Sequence, residues 1–248
     1  MDVQSPASPV AIITGAGRGI GRATAIGLAR LGYRLSLASR NLDELNETTR
    51  LACGVAPCDT AIAVPTDVTD PEEVDRLAQT TLDRFGRIDA IVNNAGAAPA
   101  RSIAEMTVPE WQAVLDTNLS AAFFLCKAAW PAFQRQQSGV IVNISSEAAR
   151  DPFPGFAAYA AAKAGLNLFG LCAAREGERI GVRVHTVAPG AVETAMLRQL
   201  FSPEQYPTQS ALDPADVAAI IIACIRGDLA YTSGEVIYLH KEVSSHFA

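Results

Sequence analysis

Val10-Ala11-Ile12-Ile13-Thr14-Gly15-Ala16-Gly17-Arg18-Gly19-Ile20-Gly21 is the stretch on which the reading of this chain turns. Its first four residues are apolar and mostly β-branched, and a glycine cluster bounds them, the pattern of a short strand buried on both faces. Beyond the glycines, apolar residues recur at helical spacing as far as Leu31, so strand, turn and helix follow without a linker. Glycine tolerates positive φ, lets a ligand come close to the backbone, and leaves the amide donors of the helix N-terminus uncovered. A glycine turn between the first strand and first helix of a βαβ unit is built to receive a pyrophosphate, so the stretch predicts a dinucleotide site. The strict G-x-G-x-x-G register is not met, because Ile20 stands where Gly15 and Gly17 would require the third glycine.

Outward from this stretch, short apolar runs alternate with longer segments of helical period, as in repeated βαβ units around a parallel sheet. Strands are predicted at 10–14, 34–38, 60–64, 90–93, 139–144, 183–187 and 235–239, and helices at 20–31, 43–53, 71–85, 108–136, 157–179 and 214–225. Asp70-Pro71 and Asp213-Pro214 each set an acidic cap before a proline at the first helical position. No linker, repeat or low-complexity segment breaks the alternation, so residues 1–248 are expected to form a single α/β domain, a Rossmann-type doubly wound parallel sheet of about seven strands flanked by helices. Such sheets bind ligands at the carboxyl ends of their strands, where the remaining motifs should gather.

Of the 248 residues, 49% are hydrophobic and 19% charged, a balance that can bury a large core and does not suit a disordered chain. A net charge of −6, with no basic cluster interleaved with aromatics, argues against a nucleic-acid partner. Residues 1–10 carry neither a basic nor an apolar leader segment, which predicts a cytoplasmic protein. The most apolar stretches, 217–225 and 156–174, are too short or contain Lys163, so no membrane role is expected. Cys53, Cys58, Cys126, Cys172 and Cys224 form no CxxC pair and read as reduced thiols. His185, His240 and His246 lack the spacings that close a zinc site, so no metal is expected.

The tip of the second strand bears on the choice of dinucleotide. An acidic residue about twenty positions beyond the glycines would accept from the ribose hydroxyl of NAD, whereas an arginine there accommodates the 2′-phosphate of NADP. The strand ends Ala38-Ser39-Arg40, with no carboxylate. Arg40, with Arg18 inside the glycine turn as a second cation, favours NADP(H), and NAD(H) is the alternative.

The chemistry is written most plainly after the fifth strand. Val142-Asn143-Ile144-Ser145-Ser146 ends that strand, and Tyr159-Ala160-Ala161-Ala162-Lys163 opens a long helix. Residues four apart share one helical face, so phenol and ammonium can act on one spot. A free tyrosine titrates near pH 10, and a neighbouring ammonium favours its phenolate, which suits acid–base work on a carbonyl or alcohol oxygen.

These motifs together resemble the short-chain dehydrogenase/reductase family, and within it the 3-oxoacyl-[acyl-carrier-protein] reductases most. The resemblance rests on Thr14, Gly15, Gly19 and Gly21 of the glycine turn, and on Ser146 thirteen positions before Tyr159 and Lys163. It extends to Asp67-Val68, Asn93-Asn94-Ala95-Gly96, Asn118, and Pro189-Gly190-Ala191-Val192-Glu193-Thr194, which together cover nearly the whole chain. It implies an oxidoreductase in which Tyr159 gives the proton, Lys163 lowers its pKa and holds the nicotinamide ribose, Ser146 orients the substrate oxygen, and Asn118 anchors a water in a relay to the lysine. Ser145 is the competing serine. It further implies cofactor contacts from Gly15, Arg18, Gly19, Ile20, Gly21, Arg40, Asp67, Val68, Asn94, Ala95, Gly96, Tyr159, Lys163, Pro189, Gly190, Val192 and Thr194.

The alternatives are an NAD-linked secondary-alcohol dehydrogenase and a non-catalytic NADPH-sensing regulator, the second of which would require a broken Tyr–Lys pair. A small-molecule substrate is expected, covered by the partly apolar segment 196–212 with Leu197, Leu200, Phe201, Tyr206 and Pro207. Arg101 and Arg150 are candidate contacts for an anionic substrate. The Asp-Gly-Gly that often ends the family's last strand is absent from Gly234-Glu235-Val236-Ile237-Tyr238-Leu239. A homotetramer is expected, with a dimer as alternative. Docking of an acyl carrier protein is doubtful, because Gln136, Gln137 and Ile180 stand where basic residues would be wanted, with only Arg135 and Arg179 close by.

Overall fold

The computed structural model describes residues 8–57 and 59–241; Cys58 and His246 lie outside the described residues. Seven strands form one parallel sheet: β1 (Val10–Thr14), β2 (Arg34–Ser39), β3 (Ala61–Pro65), β4 (Ala90–Asn93), β5 (Gly139–Ile144), β6 (Val182–Pro189) and β7 (Val236–Leu239). Their order is β3-β2-β1-β4-β5-β6-β7, with Thr14 opposite Ala38 and Asn93 opposite Asn143. The order reverses between β1 and β4, and that switch point opens a crevice above the strand ends.

The helices are α1 (Gly19–Arg30), α2 (Leu42–Cys53), α3 (Pro71–Phe85), α4 (Val108–Leu115), α5 (Ala121–Gln136), α6 (Ala157–Gly177), α7 (Ala195–Leu200) and α8 (Pro214–Arg226). Alternation along the strands divides the core in two. Ile13, Leu35, Leu37 and Val92 pack with Leu28, Leu45 and Ile221 of α1, α2 and α8 on one face. Ile12, Ile91, Ile141 and Val184 pack with Leu77, Leu125 and Phe133 of α3 and α5 on the other. A strand sealed on both sides has no polar face, which is why these runs read as continuously apolar.

Two departures from the sequence reading bear on the site. The helix expected at 108–136 is interrupted by a π turn, Asp116–Ser120, which contains Asn118. The short α7 was not anticipated; Thr194 caps it by accepting from the Leu197 amide at 3.3 Å.

Helix α6, with the turn that follows it, spans Ala157–Ile180 at mean hydropathy 1.2, long and apolar enough to cross a membrane by length and composition. In the fold one face of it packs against the sheet. Ala158, Ala162, Leu166, Gly170 and Ala173 are buried, and small residues let it approach the sheet closely. A side chain at Gly170 would put its Cβ 2.5 Å from Thr186 Oγ1.

His185 of β6 is wholly buried, with Nδ1 3.0 Å from Thr232 Oγ1 and Nε2 without a partner among the described residues. Burial, and then the charge of Arg183, push its pKa down to about 4. The unfolded chain therefore binds a proton below about pH 6.5 that the folded chain refuses until about pH 4. Stability present above pH 6.5 should fall by about 3 kcal/mol as pH drops through that window. Thermal unfolding between pH 7 and 4 should show the loss, and His185→Asn should flatten it.

Candidate active site

At the carboxyl ends of the strands lies a cavity of about 680 Å³, lined by the turns after β1 to β6 and by the 196–206 segment. The turns after β1 and β4 are stapled together. Thr14 Oγ1 donates to the Val92 carbonyl at 3.2 Å and accepts from the amides of Asn94 and Ala95 at 3.0 and 3.1 Å. Asn94 Nδ2 donates to the carbonyls of Thr14 and Gly15 at 2.9 and 3.1 Å. Asn94 thus shapes the glycine turn as well as lining the cavity.

The turn has room for nothing larger than glycine at its key positions. Gly15 and Gly19 have φ of 62° and 54°. A Cβ on Gly21 would lie 2.3 Å from the Gly15 carbonyl oxygen, and one on Gly19 would lie 3.2 Å from Thr194 Cγ2. The helix α1 that follows has no side-chain cap and no acidic residue in its first turn, whereas α2 and α3 are capped by Asn41 and Asp70. Its amide donors and positive dipole end therefore suit an external anion, and the cradle fits the pyrophosphate of a dinucleotide.

Of the residues singled out in the sequence, Gly15, Arg18, Gly19, Ile20, Arg40, Asp67, Val68, Asn94, Ala95, Gly96, Pro189, Gly190, Val192 and Thr194 line one cavity, whereas Gly21 packs behind the turn against Gly15 and Asn94. Asp67 is committed locally: its Oδ1 accepts from the Thr69 amide and hydroxyl at 3.0 and 2.7 Å, and these bonds hold its pKa below the usual carboxylate range. Asn118 lies outside that wall. Its side chain donates to the carbonyls of Ala97 and Val114 at 2.8 and 2.9 Å and accepts from the Ala97 amide at 3.3 Å, fixing the turn after β4 against the π turn.

Ser146, Tyr159 and Lys163 meet on the cavity wall. Tyr159 and Ser146 face one another closely enough for the serine to act on the phenol, and Ser146 Oγ accepts from the Ala148 amide at 3.2 Å. Ser145 points elsewhere, its hydroxyl donating to the Lys163 carbonyl at 3.3 Å. Lys163 is 3% exposed; its Nζ donates to the Ile144 carbonyl at 2.8 Å and lies 5.6 Å from the centre of the Tyr159 ring. Burial pushes the lysine down to about 7. Burial also raises the Tyr159 pKa, with Ser146 acting in the opposite sense. The lowering expected from Lys163 is not what dominates here: the phenol is protonated at neutral pH and the lysine stands near its own titration point.

Phe153, Phe156, Met196, Leu200, Phe201 and Tyr206 supply apolar wall, and Phe156 packs edge-on to Tyr159 with ring centres 5.9 Å apart. Leu197 also lines the cavity; Pro207 does not. Arg101 and Arg150 are outside the wall, paired with Glu110 at 3.5 Å and Glu147 at 2.8 Å. A residue the sequence reading missed is Glu44, which lines the cavity and pairs with Arg18 at 3.6 Å. Its signal was the spacing Asn41-x-x-Glu44, a helix start just beyond the tip of β2.

The arrangement is that of a nicotinamide-linked oxidoreductase acting on CH–OH and C=O groups, and comparison with known proteins agrees. The sequence signature described as short chain dehydrogenase matches residues 9–205. A 3-oxoacyl-[acyl-carrier-protein] reductase of Synechocystis sp. is 42% identical over 191 residues, 77% of each chain. Levodione reductase superposes with a TM-score of 0.88 at 29% identity, covering 94% of this chain and 96% of that one. A variant of actinorhodin polyketide ketoreductase with NADPH superposes at 0.87 and 28% identity, again over 94% and 96%. The chain belongs to the short-chain dehydrogenase/reductase family.

Gly21→Ala should force the Gly15 carbonyl out of place and weaken dinucleotide binding at least tenfold, an order-of-magnitude figure for a cradle displaced by a methyl group. Titration of reduced-cofactor fluorescence against the variant checks this, with circular dichroism to establish that the fold survives.

Proposed function

We propose that this enzyme uses NADP(H) to interconvert a carbonyl and a secondary alcohol, with Tyr159 as the acid and base. One observation carries the reading: Tyr159 and Ser146 open on the same cavity as the glycine turn and Lys163. When bound, the cofactor supplies or accepts the hydride. The chain's own residues then have distinct tasks. Ser146 and Tyr159 hold the substrate oxygen between two hydroxyls, and Tyr159 gives it a proton in the reductive direction. Lys163, poised near neutrality, keeps a positive charge within reach of the phenolate that this transfer leaves. Asn118 holds the backbone of the turn beside Lys163 rather than touching substrate.

Support for the phosphorylated cofactor comes from Arg18 and Arg40, which line the cavity where β2 ends. An NAD-linked dehydrogenase is the second reading, and Glu44 in that same wall is the observation in its favour.

For the substrate, the aromatic and aliphatic wall supports a small, uncharged, apolar carbonyl compound. The likeness to a 3-oxoacyl reductase supports acyl thioesters as well. Arg135 and Arg179 do not help a carrier protein to dock. The neighbouring Gln136 bonds to Ile88 before β4, and the turn at Gly181 meets Gln137, so both arginines lie at the amino edge of the sheet, a strand's length from the cavity. For assembly, the exposed Phe123 and Leu168 on α5 and α6 support a homotetramer or dimer built on these helices.

Tyr159→Phe should lower turnover at least a thousandfold while the cofactor still binds, measured by NADPH oxidation with diketones, cyclic ketones and 3-oxoacyl thioesters. Because Tyr159 must be protonated and Lys163 charged, kcat/KM for reduction should be highest below about pH 7 and fall as the lysine loses its proton, a profile read from NADPH oxidation in buffers spanning about pH 5.5 to 9. Arg40→Ala should weaken NADPH about tenfold and leave NADH unchanged, the loss of one charge-assisted contact; tighter binding of NADH than NADPH by the unaltered enzyme would favour the second reading.

A further inference from the structure

The corner of the cavity beneath the tip of β2 holds an acid where an anion is to be received. Glu44 sits in the first turn of α2, and its amide donates to the Asn41 side chain at 3.1 Å. The spacing would let its carboxylate turn back onto the Asn41 amide and close a capping box, as Glu110 does with Thr107 in α4. It reaches into the glycine turn instead. Oε1 lies 3.6 Å from Arg18 Nη1, and a Cβ placed on Gly17 would meet Glu44 Oε2 at 2.9 Å and Ser39 Oγ at 3.3 Å. Gly17, Arg18, Ser39, Arg40 and Glu44 all line the cavity here. Of the two cations, Arg18 is held by Glu44, while Arg40 makes no ion pair within 4.0 Å among the described residues and is felt electrostatically by Asp67.

We propose that Glu44 is a specificity-determining residue, which competes with the 2′-phosphate of the cofactor for Arg18 and so narrows the enzyme's preference for NADP(H) over NAD(H). This rests on the NADP(H) reading above. A phosphate entering this corner must displace the carboxylate from Arg18 and then sit near an uncompensated like charge. A cofactor that ends in a free 2′-hydroxyl meets neither cost. The two arginines seen in the sequence therefore do not act as equals: Arg40 is available, and Arg18 becomes available only when its internal partner lets go. The pair is partly exposed on both sides, so the competition tunes selectivity without abolishing binding.

The test compares the unaltered protein with Glu44→Gln, Arg18→Ala, the double variant, and Arg40→Ala. Dissociation constants for NADPH and NADH, and for the fragments 2′,5′-ADP and 5′-AMP, are measured by fluorescence and calorimetry at fixed ionic strength. Glutamine keeps the shape of glutamate, and the amide that caps α2 is untouched, so thermal unfolding should be little changed. Glu44→Gln should tighten NADPH and 2′,5′-ADP about five- to tenfold and leave NADH and 5′-AMP within about twofold, the size of one partly screened charge interaction. Arg18→Ala should cost more NADPH affinity in the Glu44→Gln background than alone. If Glu44→Gln leaves NADPH unchanged, or shifts both cofactors equally, while Arg40→Ala still discriminates between them, the competition is wrong and the NADP(H) reading stands. Weaker NADH binding by Glu44→Gln, with no gain for NADPH, would make the carboxylate a ribose acceptor and overturn the proposal. If neither arginine variant alters the NADPH to NADH ratio, the NADP(H) reading fails and the proposal fails with it.

Discussion

The bonds from Asn94 to the end of β1 are the constraint on which the site depends. Where strand order reverses, the chain leaves β1 and β4 in opposite directions and the ladder between them has run out, so the carbonyls of Thr14 and Gly15 have no strand to pair with. Asn94 Nδ2 satisfies both, and Thr14 Oγ1 returns the tie through the amides of Asn94 and Ala95. A buried carbonyl left unpaired costs about 1–3 kcal/mol, so the staple fixes the separation of the two turns as well as their shape. The width of the crevice follows from it. So does the clearance over Gly15 and Gly21 that lets a dinucleotide lie on the backbone.

A second constraint is what burial does to Tyr159 and Lys163, the groups proposed for the acid–base work. Lysine and phenol sit four residues apart on one face of α6, and the small side chains of that helix bring both close to the sheet. The same closeness strips them of water. Desolvation disfavours each charged form, raising the phenol and pulling the lysine down to about 7. The pair seen in sequence as a cation tuning a phenol is, in the folded protein, a neutral acid beside a base near its titration point.

Much of the fold could be read from residue order, and the reasons are local. Strands β1, β4 and β5 fall where the β-branched runs placed them, and α3 starts where Asp70-Pro71 dictates. The π turn at Asp116–Ser120 was not legible, because apolar spacing runs through it unbroken and the bonds that tie Asn118 to Ala97 come from a distant segment. Helix α7 was hidden for a similar reason: six residues are too few for a periodic signal.

The sequence by itself determined the type of sheet, the glycine cradle and the groups proposed to carry the chemistry, because each is encoded within a few consecutive residues by sterics or helical spacing. Only the tertiary structure decided which serine faces Tyr159, that Arg101 and Arg150 lie outside the wall and are paired with Glu110 and Glu147, and that Arg135 and Arg179 stand at the far edge of the sheet. It also set Glu44 against Arg18. These outcomes depend on where side chains from distant segments meet and on how much water is left between them, and neither is written in the spacing along a chain.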